Sequence, residues 1–169
     1  MTTVTTDEIY TLAKKVYAGL CERKMKIATA ESCTGGMIGE ALTAVPGMSE
    51  CYGFGIISYA NEAKISLLGV SADTLGKYGA VSPQTAREMA DGAIRLSGSD
   101  IAVSVTGIAG PGGGTPEKPV GLVYIGFAAK GQQTIAIRNI FDGNRNSVRS
   151  QTAAKALETV INYLACDNI

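Results

Sequence analysis

The chain has 169 residues, 46% of them hydrophobic, enough to bury one full core and to predict a single domain over 1–169. Fifteen basic and fifteen acidic residues cancel, so the sequence carries no electrostatic footprint for nucleic acid or for an anionic membrane. Histidine and tryptophan are absent, which removes the commonest general base and metal ligand and leaves Lys, Asp, Glu, Tyr, Ser, Thr and Cys for any catalysis.

Thr5 and Glu8 have the spacing of a capping box, and Ile9, Leu12, Ala13, Val16, Tyr17 and Leu20 then recur at helical intervals, predicting an amphipathic first helix. Residues 26–30 (KIATA) read as a short buried strand, bounded by a turn-forming cluster. A helix over 36–45 follows and is broken by Pro46-Gly47, and 52–59 (YGFGIISY) has the β-branched and aromatic content of a second strand. NEAKISLLG predicts a short helix capped by Asn61 and ended by Gly69, with Lys64 near its first turn.

Ser82-Pro83 starts a longer helix, carried by Ala86, Met89, Ala90, Ala93 and Ile94 toward Ser97. A third strand covers 101–105, and 107–119 is too rich in Gly and Pro to be anything but a loop. Residues 120–129 and 134–141 read as a hairpin about KGQQ. The last helix has the apolar stripe Ala153, Ala156, Leu157, Val160, Ile161 and Leu164.

Strands alternating with helices, then a hairpin, predict a three-layer α/β/α fold with a mixed, mostly parallel sheet of about five strands, one of them antiparallel. With the second and third strands flanking the first, ligands are expected in the crevice at the carboxyl ends of the strands, where the loops 31–36 and 106–114 meet. The four cysteines, Cys21, Cys33, Cys51 and Cys166, have no CxxC pairing that would suggest zinc, and read as buried thiols. The segment MTTVTTDEIY is not a signal peptide and no apolar run reaches membrane length, so the cytoplasm is the expected compartment.

AESCTGG, ISYANEAK, GAVS, VTGIAGPGGG, PVGLVYIG and the late FDGNR…VR occur in order from about Thr29 to Leu164. Together they resemble the CinA carboxy-terminal domain family, whose stand-alone members are nicotinamide-nucleotide amidases. The resemblance implies hydrolysis of the carboxamide of nicotinamide mononucleotide to nicotinate mononucleotide and ammonia; the absence of histidine and of clustered cysteines adds the expectation of no metal, and no cofactor is expected. The amino-terminal domain of longer CinA proteins is not expected here, so activities that rest on it are not carried over.

Amide hydrolysis needs a nucleophile, a base that later protonates the departing nitrogen, and donors for the oxyanion. On local sequence Ser32 is either that nucleophile or a helix cap; the resemblance places the nucleophile there, ahead of the neighbouring Cys33. With histidine absent, a lysine is the natural base, and Lys64 is chosen because it follows the second strand, next to the first. Tyr59 is either a ring against the pyridine, a hydroxyl in the proton network or a core aromatic. Thr106 either orients Lys64 or the substrate amide, or simply ends its strand.

The N–H groups of Cys33, Thr34, Gly35 and Gly36 are candidates for an oxyanion hole or a phosphate cradle, and the sequence leaves the two open. Gly107 opens the loop where backbone can pass close to a ligand or to a neighbouring subunit. Arg145 is either a phosphate partner or a surface arginine at a helix start, with Arg149 behind it as a second phosphate candidate. The glycine loop lacks a GK[ST] ending, which argues against an ATPase. The alternative from another class is a non-catalytic nucleotide-binding or sensing module in the same crevice. The oligomeric state stays open.

Overall fold

The structure, a computed structural model, describes residues 4–166; the first three residues of the segment read above as no signal peptide, and 167–169, lie outside it. Among the described residues the order is α1 (Thr6–Arg23), β1 (Ile27–Glu31), α2 (Met37–Thr43), β2 (Tyr52–Ile57), α3 (Asn61–Leu68), α4 (Ala72–Tyr78), α5 (Pro83–Ser97), β3 (Ile101–Gly107), β4 (Leu122–Ala129), β5 (Ile135–Ile140) and α6 (Arg145–Ala165). The capping box of α1 is closed: Glu8 N donates to Thr5 Oγ1 at 3.2 Å and Thr5 N to Glu8 Oε2 at 2.7 Å.

The strands form one sheet in the order β2-β1-β3-β4-β5. β1 pairs in parallel with β2 and β3, while β4 is antiparallel to both β3 and β5. The sheet is therefore the mixed, mostly parallel one expected, with β4 as the reversed strand. Both faces of β1 are covered, so all five of its residues are buried. Ile27 packs with the buried residues of α1, α2 and α6 on one face, and Ala28 and Ala30 with Leu68, Met89 and Ala93 of α3 and α5 on the other. This alternation places Thr29 and then Glu31 on the first face, and Glu31 reaches α2.

Register decides which residues meet. Glu31 lies beside Ile57 on one side and Val105 on the other, so Ser32, Ser58 and Thr106 come side by side at the carboxyl ends of the three parallel strands. The two loops expected at the carboxyl ends do converge there.

Some boundaries differ from the sequence reading. Asn61 is the first residue of α3; its cap is Ala60, which makes no side-chain bond, whereas Gly69 does end the helix with φ 68°. α4, absent from the sequence reading, has no buried residue and hence no apolar periodicity to announce it; its one local signal is Ser71, whose Oγ accepts from Asp73 N at 3.2 Å. The cysteines do not all behave as buried thiols. Cys33 and Cys51 are buried, but Cys21 and Cys166 are exposed, because they lie on outward positions of α1 and at the end of α6.

Candidate active site

Ser32, Cys33, Tyr59, Asn61, Lys64, Thr106, Gly107 and Arg145 line one cleft of about 190 Å³, closed on one side by Ala80 and Val81. That is smaller than the 300–1,000 Å³ usual for a ligand pocket, so it holds the reacting end of a ligand and leaves the rest at the mouth. A larger hollow of about 270 Å³ between α1 and α2, lined by Ile9, Tyr10, Met37 and Ala41, is largely apolar and holds no nucleophile with a base. Chemistry, not size, locates the site.

Lys64 is 1% exposed, and its Nζ lies 3.1 Å from Ser32 Oγ, 2.7 Å from the Ser58 carbonyl and 3.3 Å from the Tyr59 carbonyl. Neither ion pair among the described residues involves it. Burial pulls its pKa below 10.5, opposed only by the charge that a Cys33 thiolate would carry. In the neutral amine two N–H groups can remain on the two carbonyls while the lone pair faces the Ser32 hydroxyl. α3 supplies this geometry, since Lys64 sits one turn in and reaches back toward the end of β2.

Cys33 is buried as well, and desolvation pushes its thiol up to about 12. A neutral, buried thiol is a weak nucleophile. Its side chain belongs to the apolar core on the α1, α2 and α6 face.

Two of the four expected backbone donors are already engaged. Gly35 N donates to the Ser32 carbonyl at 3.1 Å, and Gly36 N donates to Glu31 Oε2 at 3.0 Å. Gly36 itself is needed for a φ of 101°, at a place where a Cβ would stand 3.0 Å from Ile57 Cδ1. The N–H groups of Cys33 and Thr34 donate to no other group among the described residues.

Thr106 is buried, but its hydroxyl donates to the Ala80 carbonyl at 2.7 Å, not to Lys64. It therefore holds the GAVS turn that walls the cleft; of the readings given above, the bond to Lys64 is not made. Gly107 lines the cleft, yet its missing side chain serves packing, since a Cβ there would lie 2.8 Å from the Leu122 carbonyl on β4.

Tyr59 is 62% exposed, which removes the core-aromatic reading. Its hydroxyl accepts from Arg145 Nη2 at 3.0 Å, while Arg145 Nη1 donates to the Gly110 carbonyl at 2.8 Å. Arg145 thus ties the start of α6 to both the tyrosine and the glycine loop at the cleft mouth, with further N–H groups to spare. Arg149, one turn on, donates to the Thr34 carbonyl at 2.7 Å and steadies the Ser32 turn from α6.

Sequence reasoning missed Glu31 and Asn61. Glu31 is 2% exposed and accepts four hydrogen bonds from Thr34 Oγ1 and the N–H groups of Gly36, Ile38 and Gly39, at 2.6 to 3.1 Å. An acidic residue at the end of a fully buried strand was the available signal. Asn61, read as a cap, instead lines the cleft.

Among the described residues no helix is long and apolar enough to cross a membrane, and no group of three or more His, Cys, Asp or Glu could hold a metal ion. Residues 9–164 match the CinA C-terminal domain family. A CinA-like protein of Chlorobaculum tepidum is 50% identical over 155 residues, covering 88% of this chain and 36% of that protein. The chain spans about a third of the length of the curated relatives it matches. Two crystal structures superpose closely. The competence/damage inducible protein CihA of Agrobacterium tumefaciens has TM-score 0.89 at 43% identity, over 92% of this chain and 94% of that one. The competence damage-inducible protein A of Klebsiella pneumoniae has TM-score 0.90 at 36% identity, over 95% and 99%.

Proposed function

The chain belongs to the CinA C-terminal domain family, and we propose that it is an amidohydrolase that converts nicotinamide mononucleotide to nicotinate mononucleotide and ammonia. The observation that carries the reading is the buried Lys64 amine, free of any carboxylate partner among the described residues and 3.1 Å from Ser32 Oγ. A lysine in that setting is held toward its neutral, basic form, which is what a serine nucleophile needs where histidine is absent. The dyad supports the reaction class; the family resemblance supports the substrate.

In the proposed reaction Lys64 takes the Ser32 hydroxyl proton as Oγ attacks the carboxamide carbon. The N–H groups of Cys33 and Thr34 supply the donors for the tetrahedral oxyanion, being the two in the turn not otherwise engaged. The Lys64 ammonium then gives its proton to the departing nitrogen, and ammonia leaves an ester of nicotinate mononucleotide on Ser32. A water, deprotonated by Lys64, attacks the ester carbon, and as the bond to Oγ breaks the Lys64 ammonium returns the proton to Ser32, releasing nicotinate mononucleotide and restoring the dyad. Tyr59 and Arg145 at the mouth bind the ribose-phosphate end, outside the small inner cleft.

The test is release of ammonia from nicotinamide mononucleotide, followed by a coupled assay against a panel of amide-bearing nucleotides. Turnover of the mononucleotide supports the reading. Tight binding with no ammonia from any member overturns it in favour of a binding module.

A further inference from the structure

We propose that Glu31 is a positioning residue for this site: its carboxylate is the internal anion around which the Ser32 turn is assembled, and it acts on turnover through the turn and never through contact with substrate. The inference rests on Ser32 being the nucleophile. Glu31 immediately precedes Ser32, and β1 sends its side chain to the face where α2 begins. There Oε2 accepts from Thr34 Oγ1 at 2.6 Å, Gly36 N at 3.0 Å and Ile38 N at 3.1 Å, while Oε1 accepts from Gly39 N at 2.8 Å. These donors run from the turn into the first part of α2, so one buried carboxylate ties both to the strand that carries Ser32.

A buried carboxylate is costly unless its lone pairs are met, and here both oxygens are. The bonds are charge-assisted, hence stronger and more directional than a hydroxyl cap. Arg149 closes the same turn from outside by taking the Thr34 carbonyl. The result is a turn held at its side chain, its carbonyl and its exit, with the N–H groups of Cys33 and Thr34 left over. A ligand phosphate cannot use Gly36 N, because the chain's own carboxylate already does.

Lys64 is fixed separately, by Ser58 and Tyr59. Loss of the Glu31 charge should therefore disturb Ser32 and the oxyanion donors but not the titration of the base. A purely structural role would lower stability without this division.

The experiment compares the wild type with Glu31→Gln and Glu31→Ala, each first shown to be folded by its thermal transition. In Glu31→Gln, where an amide NH2 must face N–H donors, kcat should fall about 10- to 100-fold, the scale of a nucleophile misplaced by an ångström or less. KM should move by less than about threefold, and the acid limb of the pH profile should stay in place. In Glu31→Ala, formate should restore part of kcat by entering the vacated carboxylate position, and formamide, its neutral isostere, should not.

Wild-type kcat in Glu31→Gln, or equal rescue by formate and formamide, would overturn the proposal. If the wild type itself releases no ammonia, the substrate reading fails but this one is still decided. The rate at which a fluorophosphonate labels Ser32 should then be slowed by the same factor in Glu31→Gln; an unchanged rate overturns it.

Discussion

Lys64 Nζ sits 3.1 Å from Ser32 Oγ across a sequence gap of 32 residues, and the contact exists because β2 and β1 are parallel neighbours whose carboxyl ends coincide. The remaining Nζ contacts are backbone carbonyls, which no side-chain substitution removes. The amine is therefore held by the fold itself, and only its partner hydroxyl is open to mutation.

Ser32→Ala should lower ammonia release by about a thousandfold or more while leaving the Kd for nicotinamide mononucleotide within about tenfold, since a nucleophile contributes mainly to the transition state. Steady-state kinetics with calorimetric binding checks this. Retention of more than about a tenth of the rate would remove Ser32 from the role.

The pH dependence follows from Lys64. Its folded pKa lies below 10.5 because burial disfavours the ammonium. The base form grows as pH rises, so kcat/KM should rise along a single acid limb centred below 10.5. Stability should move in the same direction: between the folded pKa and 10.5 the unfolded chain binds more protons at this site than the native chain, so unfolding becomes harder as pH increases through that window. Lys64→Arg keeps the charge, cannot deprotonate, and should be inactive at every pH; an active variant would send the role of base elsewhere, with Tyr59 next.

Arg145→Ala should weaken binding of the mononucleotide more than that of nicotinamide riboside, because the guanidinium at the mouth has N–H groups left beyond those on Gly110 and Tyr59. A loss of about tenfold on the phosphate-bearing substrate alone is the expected size for one charge-assisted contact. Equal losses on both substrates would place Arg145 in loop positioning and not on the phosphate.

Cys33→Ala should keep much of the activity, because a thiol pushed up to about 12 carries almost no thiolate at neutral pH. Dialysis against a strong chelator should leave the rate unchanged. A covalent intermediate trapped on position 33, with Cys33→Ala folded but dead, would make this a cysteine amidase.

Gly92→Ala tests how α3 is supported. A Cβ at Gly92 on α5 would collide with the Leu68 carbonyl at the end of α3, the same carbonyl that accepts from Arg95 Nη2 at 2.7 Å. Relieving the clash should cost about 1–3 kcal/mol and lower Tm by several degrees, with a further loss of kcat because α3 carries Lys64. An unchanged Tm would show that α3 shifts freely.

The sequence by itself determined the secondary elements other than α4 and their alternation, because apolar spacing and the stop signals at Pro46-Gly47 and Gly69 act within a few residues of the chain. The absence of histidine made a lysine the natural base, whereas the choice of Ser32 over Cys33 as nucleophile came from the family resemblance. Only the tertiary structure decided what Glu31, Thr106 and Gly36 do. A carboxylate reads as solvated until both faces of its strand are known to be covered, and Thr106 turns to Ala80 because α5 and the turn before it pack over β3. Gly36 N is taken by Glu31 because β1 ends where α2 begins. Hydrogen-bond partners of this kind are set by register and layer packing, which bring together residues that no local pattern joins.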